Sequence, residues 1–156
     1  MKKSLFTFLA IISFSYAFAQ MAYEPHYVRD RAGIPIYFTV EEAKQSGDEV
    51  YLLNLRNKEL REVPKGIAEL QSLKFLNLMK NQLDSVDAKV FSCLQLTELN
   101  IRQNKIRTLP SEVGQLKVLE VLNLSKNQLS SIPESVSELT SLRLLHAVEN
   151  DISKLP

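Results

Sequence analysis

From Val50 onward the chain repeats itself every 23 residues without a break, and no other feature constrains its fold so tightly. Repeats open at Val50, Leu73, Leu96, Leu119 and Leu142. Within each, apolar residues stand at positions 1, 4 and 6, from Val50, Leu53 and Leu55 in the first to Leu142, Leu145 and Ala147 in the last. Position 9 is Asn at Asn81, Asn104, Asn127 and Asn150, and position 11 is apolar throughout: Leu60, Leu83, Ile106, Leu129 and Ile152. Alternation sends positions 4 and 6 to one side of a short strand and positions 3, 5 and 7 to the other. A unit this small has no partner for its own apolar edge. Stacked copies supply one, because each strand pairs in parallel with the next and the Leu columns merge into a shared core.

The other columns have equally local reasons. Asn at position 9 falls where the chain leaves the strand and turns inward, and its amide can both donate to and accept from backbone groups that no ladder satisfies. Pro64, Pro110 and Pro133 lack a donor and hold φ near the helical value, which suits the start of a short helical turn on the far side of each coil. The sequence L-x-x-L-x-L-x-x-N-x-L resembles that of the leucine-rich-repeat family. The second halves, Val63-Pro64 with Ile67 and Leu70, Leu109-Pro110 with Val113 and Leu116, and Ile132-Pro133 with Val136 and Leu139, match its 23-residue Leu-Pro-x-x-Ile-x-x-Leu type. The resemblance covers residues 50–156 and implies an α/β fold: a right-handed β-α solenoid with a short five-stranded parallel sheet on the concave face and helical turns on the convex face. Two departures are informative. Lys58 replaces Asn in the first repeat, as expected next to a cap. Asp87 replaces Pro in the second and is followed by Val90, Phe91 and Cys93, so a bulkier or shifted turn is expected there. Cys93 shares the column of Leu70, Leu116 and Leu139 and is read as a packed thiol.

Outside the repeats the chain divides into short units. Lys2 and Lys3, the apolar run from Leu5 to Phe14 and the small-x-small site Ala17-Phe18-Ala19 form a Sec-type signal peptide over residues 1–19. A retained anchor is the rival reading, but the apolar stretch is shorter than the roughly 20 residues that a spanning helix needs. Export is therefore expected, to a secreted, periplasmic or cell-surface location, with no stable membrane insertion after cleavage. Residues 20–38 read as an irregular arm, and residues 39–49 as a capping helix opened by the capping box Thr39-Val40-Glu41-Glu42. This cap is similar to those of exported bacterial leucine-rich-repeat proteins. The repeats are then 50–72, 73–95, 96–118, 119–141 and a truncated 142–156, whose uncapped edge suggests self-association through the last repeat or a fragment of a longer protein.

Composition narrows the function. The chain has 19 basic and 18 acidic residues, and loss of Lys2 and Lys3 leaves 17 against 18, so total charge implies no nucleic-acid partner. Two His, one Cys and no Gly-rich or Ser-containing catalytic motif point away from an enzyme, a metal site or a cofactor. Binding on the concave face is the expectation, to a protein partner or a glycan. The residues expected to make contact are Leu52, Phe75, Met79, Arg102, Val121, Leu144 and His146. The position-5 asparagines Asn54, Asn77, Asn100 and Asn123 are expected to bond to one another across strands. Arg56, Lys74, Lys80, Arg102, Lys126 and Arg143 outnumber Glu98, Glu120 and Glu149 on this face, which suits an acidic contact patch on the partner. Cleavage is directly measurable: N-terminal sequencing of the exported protein should begin at Gln20, and a chain still beginning at Met1 would contradict the signal-peptide reading.

Overall fold

The computed structural model describes residues 33–153, so the expected signal peptide over residues 1–19, residues 20–32 of the expected arm and residues 154–156 lie outside the described part. Six strands form one parallel sheet in chain order: β1 (Ile36–Tyr37), β2 (Leu52–Asn54), β3 (Phe75–Asn77), β4 (Glu98–Asn100), β5 (Val121–Asn123) and β6 (Leu144–His146). The sheet is open, with short helical turns on its far side, as a leucine-rich-repeat solenoid requires. Register follows the repeat, so that Leu53, Leu76, Leu99, Leu122 and Leu145 lie in one row. The first four are fully buried, whereas Leu145 is 40% exposed on the last strand.

The five-stranded expectation needs one correction. Ile36–Tyr37, read as irregular arm, pairs with β2, placing Ile36 opposite Leu52 and Tyr37 opposite Leu53. Two residues after Pro35 are too few to show strand alternation, so the pairing is set by the sheet that receives them. Helix α1 (Val40–Gln45) follows. Thr39 Oγ1 accepts from the Glu42 amide at 3.1 Å, and the Glu42 carboxylate reaches back to the Phe38 amide at 3.3 Å, so both arms of the cap satisfy donors at the helix start. The helix buries Val40 and Ala43 against the first coil, and Lys44 meets Glu69 at 2.6 Å.

Asparagine stitches each coil to the one before it. Asn104 Nδ2 donates at 3.0 Å to the carbonyls of Leu78 and Ile101, while its Oδ1 accepts from the Leu83 amide at 3.1 Å. Asn81 joins Leu55, Leu78 and Leu60, Asn127 joins Ile101, Leu124 and Ile106, and Asn150 joins Leu124, Ala147 and Leu129 in the same way. Each amide therefore satisfies backbone groups of two coils at the inward turn. The residue just before each of these asparagines, namely Lys80, Gln103, Lys126 and Glu149, has φ of 56–58°, so this turn forces non-glycine residues into the left-handed region.

On the convex side, 3-10 turns run over Ile67–Glu69, Ala88–Ser92, Ser111–Gln115 and Glu134–Glu138, with Pro110 and Pro133 directly ahead of the last two. The Asp87 repeat does not shift its turn. Its helical residues stand 23 positions before those of the next coil, because the Asp87 carboxylate accepts from the Lys89 amide at 2.9 Å and caps the turn without proline. Coils approach closely here: a Cβ on Gly114 would lie 2.8 Å from the Ser135 carbonyl oxygen. Cys93 is fully buried beside the Ile67 carbonyl, and burial pushes its thiol up to about 11.

Because Asn104→Ala leaves the buried Leu83 amide without a partner and removes one of the two side-chain bonds to each of the Leu78 and Ile101 carbonyls, it should lower the unfolding free energy by about 1–3 kcal/mol in urea titration. A loss under about 0.5 kcal/mol would show that the ladder is incidental.

Candidate functional site

The concave face is the side of β1–β6 opposite the Leu row, and its residues divide sharply by exposure. Leu52 and Phe75 are fully buried, forming with Ile36 a second small apolar cluster against which Ile34, Phe38 and Tyr51 pack. Met79 is also buried, Arg102 and Val121 are half-buried, and Leu144 and His146 are exposed. The expected contact residues at the N-terminal half, Leu52 and Phe75, are thus covered, because β1 extends the sheet and brings Ile34 and Phe38 with it. Register places Val121 next to Leu144, while Arg102 follows β4 and His146 ends β6, so the accessible expected residues gather at the C-terminal half.

The asparagine column has a different task from the one expected. Asn54, Asn77, Asn100 and Asn123 do not bond to one another. Each carboxamide oxygen accepts from the amide two residues ahead, at Arg56, Met79, Arg102 and Ser125, over 3.0–3.2 Å. These Asx turns end each strand and aim the position-7 side chain.

Electrostatics on this face is mostly internal. Arg143 lies 3.8 Å from Glu120, Lys126 lies 3.1 Å from Glu149, and the Lys74 ammonium sits 5.1 Å from the Tyr51 ring centroid. Tyr51 itself donates to Glu49, which raises its phenol above the usual value. Glu98 is the exception. It is only 5% exposed on the concave side of β4, and burial, with the Glu120 carboxylate adding to it, pushes its carboxyl up to about 7. Sequence reasoning counted Glu98 merely as one charge. The signal available was its place as the one acid in a column otherwise made of Leu52, Phe75, Val121 and Leu144. Among the described residues no group of three metal-ligating side chains comes together.

Two family models match, described as "Leucine rich repeat" over residues 48–106 and "Leucine-rich repeat region" over residues 88–156. Among solved structures, a leucine-rich-repeat protein of Leptospira interrogans is 33% identical with a TM-score of 0.65, over 78% of this chain and 31% of that one. The chain is a leucine-rich-repeat protein. It spans about a third of the length of the Leptospira relative. The BIR3–SERK2 complex of Arabidopsis thaliana gives 33% identity and a TM-score of 0.62, covering 68% of this leucine-rich-repeat protein and 59% of that chain. A plant peptide hormone receptor, RGFR1 in complex with RGF2, gives 32% identity and a TM-score of 0.50, over 58% and 15% of the two chains. No curated protein matches the sequence. As a leucine-rich-repeat domain, the chain is a protein-interaction module in general terms.

Glu98 gives the domain a pH dependence whose sign is definite. An acid with a raised folded-state pKa holds its proton more tightly when folded, so its stabilising contribution is complete below about 4.5 and is lost as pH rises to about 7. Relative to Glu98→Gln, the wild type should therefore lose about 2–3 kcal/mol between pH 5 and pH 8 in urea titrations. Parallel profiles for the two proteins would contradict this.

Proposed function

We propose that this leucine-rich-repeat protein is a non-catalytic, extracytoplasmic interaction module that holds a protein partner, or a glycan, on the concave face of its sheet. One observation carries the reading: register gathers Arg102, Val121, Leu144 and His146 on the accessible half of a rigid parallel sheet. A cation, two apolar groups and an imidazole side by side make a patch of the mixed composition found at protein interfaces. Strands pinned by Asx turns and the Asn ladder present it with little entropy left to lose on binding. The BIR3–SERK2 and receptor–RGF2 structures are complexes with protein or peptide partners, which supports the same use of this fold. Export rests on the N-terminal signal pattern. Among the described residues no helix is long and apolar enough to cross a membrane.

A second reading, self-association through β6, draws on the 45%, 40% and 65% exposure of Leu144, Leu145 and Val148. Light scattering separates the two: mass rising with concentration, and abolished by Leu145→Lys, favours self-association.

The primary test is capture of a partner from cell-surface extract by the exported protein. Arg102→Glu combined with Val121→Asp should reduce capture by about tenfold or more, while Arg107→Glu, outside the concave face, should leave it unchanged. Undiminished capture by a folded double variant would remove the concave site.

A further inference from the structure

Among the described residues the sheet buries one carboxyl, that of Glu98, and no hydrogen bond or ion pair among them engages it. Glu98 stands opposite Phe75 on β3 and Val121 on β5, and because its neighbour Leu99 is buried in the core, strand alternation sends Glu98 to the concave side. It is 95% buried by its 5% exposure, yet none of the ion pairs among the described residues engages it. The neighbouring cations are occupied: Lys74, just before β3, is held over Tyr51, and Arg143, just before β6, meets Glu120. On its own strand, Asn100 turns its oxygen to the Arg102 amide. A buried charge without a partner is costly, and a cation delivered to it offsets that cost.

The carboxyl is nevertheless reachable. Glu98 keeps its 5% exposure on the concave side, beside half-buried Val121. A long alkyl stem with a terminal cation suits such a group: the stem lies on half-buried Val121 and its exposed neighbour Leu144 while the charge meets the carboxylate. Glu120, half-buried next to it, adds to the negative potential and is only partly offset by Arg143 at 3.8 Å.

We propose that Glu98, supported by Glu120, is the recognition point for a Lys or Arg side chain carried by an extended, otherwise apolar segment of the protein partner. The inference rests on the concave face being the binding face and names what that face selects. It differs from the acidic partner that the count of basic residues suggested, because Arg143 and Lys126 are already paired with acids and Lys74 with a ring. A cation bound at Glu98 holds the group ionised, so complex formation below neutral pH releases a proton. Affinity should therefore fall about tenfold between pH 8 and pH 6, following the ionised fraction of a group near 7.

The full exported chain, panned at pH 8 against a displayed library of unconstrained dodecapeptides, tests this. The expected peptides carry Lys or Arg flanked by apolar residues, bind Glu98→Gln about tenfold or more weakly, and lose affinity at pH 6 on the wild type but not on Glu98→Gln. Enrichment of acidic peptides, no enrichment of basic ones, or equal binding to Glu98→Gln overturns the proposal. So does calcium alone binding in a manner that Glu98→Gln abolishes, which would assign the carboxyl to a metal ion. Peptides that respond to Arg102→Glu and Val121→Asp but ignore Glu98→Gln sink this inference and leave the concave site standing. Peptides indifferent to all three substitutions sink both.

Discussion

A coil of 23 residues is unable to hide its own leucines, and every other property of this molecule follows from that. Leu53, Leu76, Leu99 and Leu122 are fully buried only because each is covered on both sides, by neighbouring coils or, on one side of Leu53, by β1. The same mutual dependence governs the polar groups. Asn81, Asn104 and Asn127 each bond to carbonyls of two coils and to the amide of the preceding one, so neither apolar nor hydrogen-bonding requirements are met within a single repeat. The left-handed residues preceding those asparagines are tolerated because the ladder over-determines the turn.

This arrangement separates stability from recognition. The Leu row, the Asn ladder and the convex turns occupy the interior and the outer curve, and leave the inner curve free to vary without loss of the core. What this chain does with that freedom is uneven. Toward the N-terminal end, Ile36, Leu52 and Phe75 form a closed apolar cluster. Toward the other end the face opens, and at the boundary between the two halves lies Glu98, poorly solvated and tuned toward neutrality by burial. Under the proposed reading, a titratable group at that boundary couples recognition of a basic side chain to pH.

The stacked fold was legible because its causes recur at fixed spacing: the Leu columns, the Asn column and the Leu-Pro steps each announce one local requirement several times over. Features that occur once were not legible. The Ile36–Tyr37 strand is too short for alternation and exists only because β2 offers an edge. The burial of Leu52 and Phe75 depends on that strand and its flanks, which lie some distance away in sequence. Asp87 looked like a disruption, yet a side-chain cap and a proline ring serve the same turn by different means. The position-5 asparagines were recognisable as structural, but repetition alone does not tell a cross-strand bond from an Asx turn. As for Glu98, its type was visible while its desolvation was not, since desolvation depends on what neighbouring strands place around it.

The central claim is that each coil is held in place by its neighbours. Hydrogen exchange of Leu99→Ala, a substitution in the middle coil, tests it most directly. The account predicts faster exchange of the amides of Leu76, the substituted residue and Leu122 together, because the cavity in one coil removes the roof of the two beside it. Faster exchange confined to β4, with β3 and β5 protected as in the wild type, would mean that the coils stand alone.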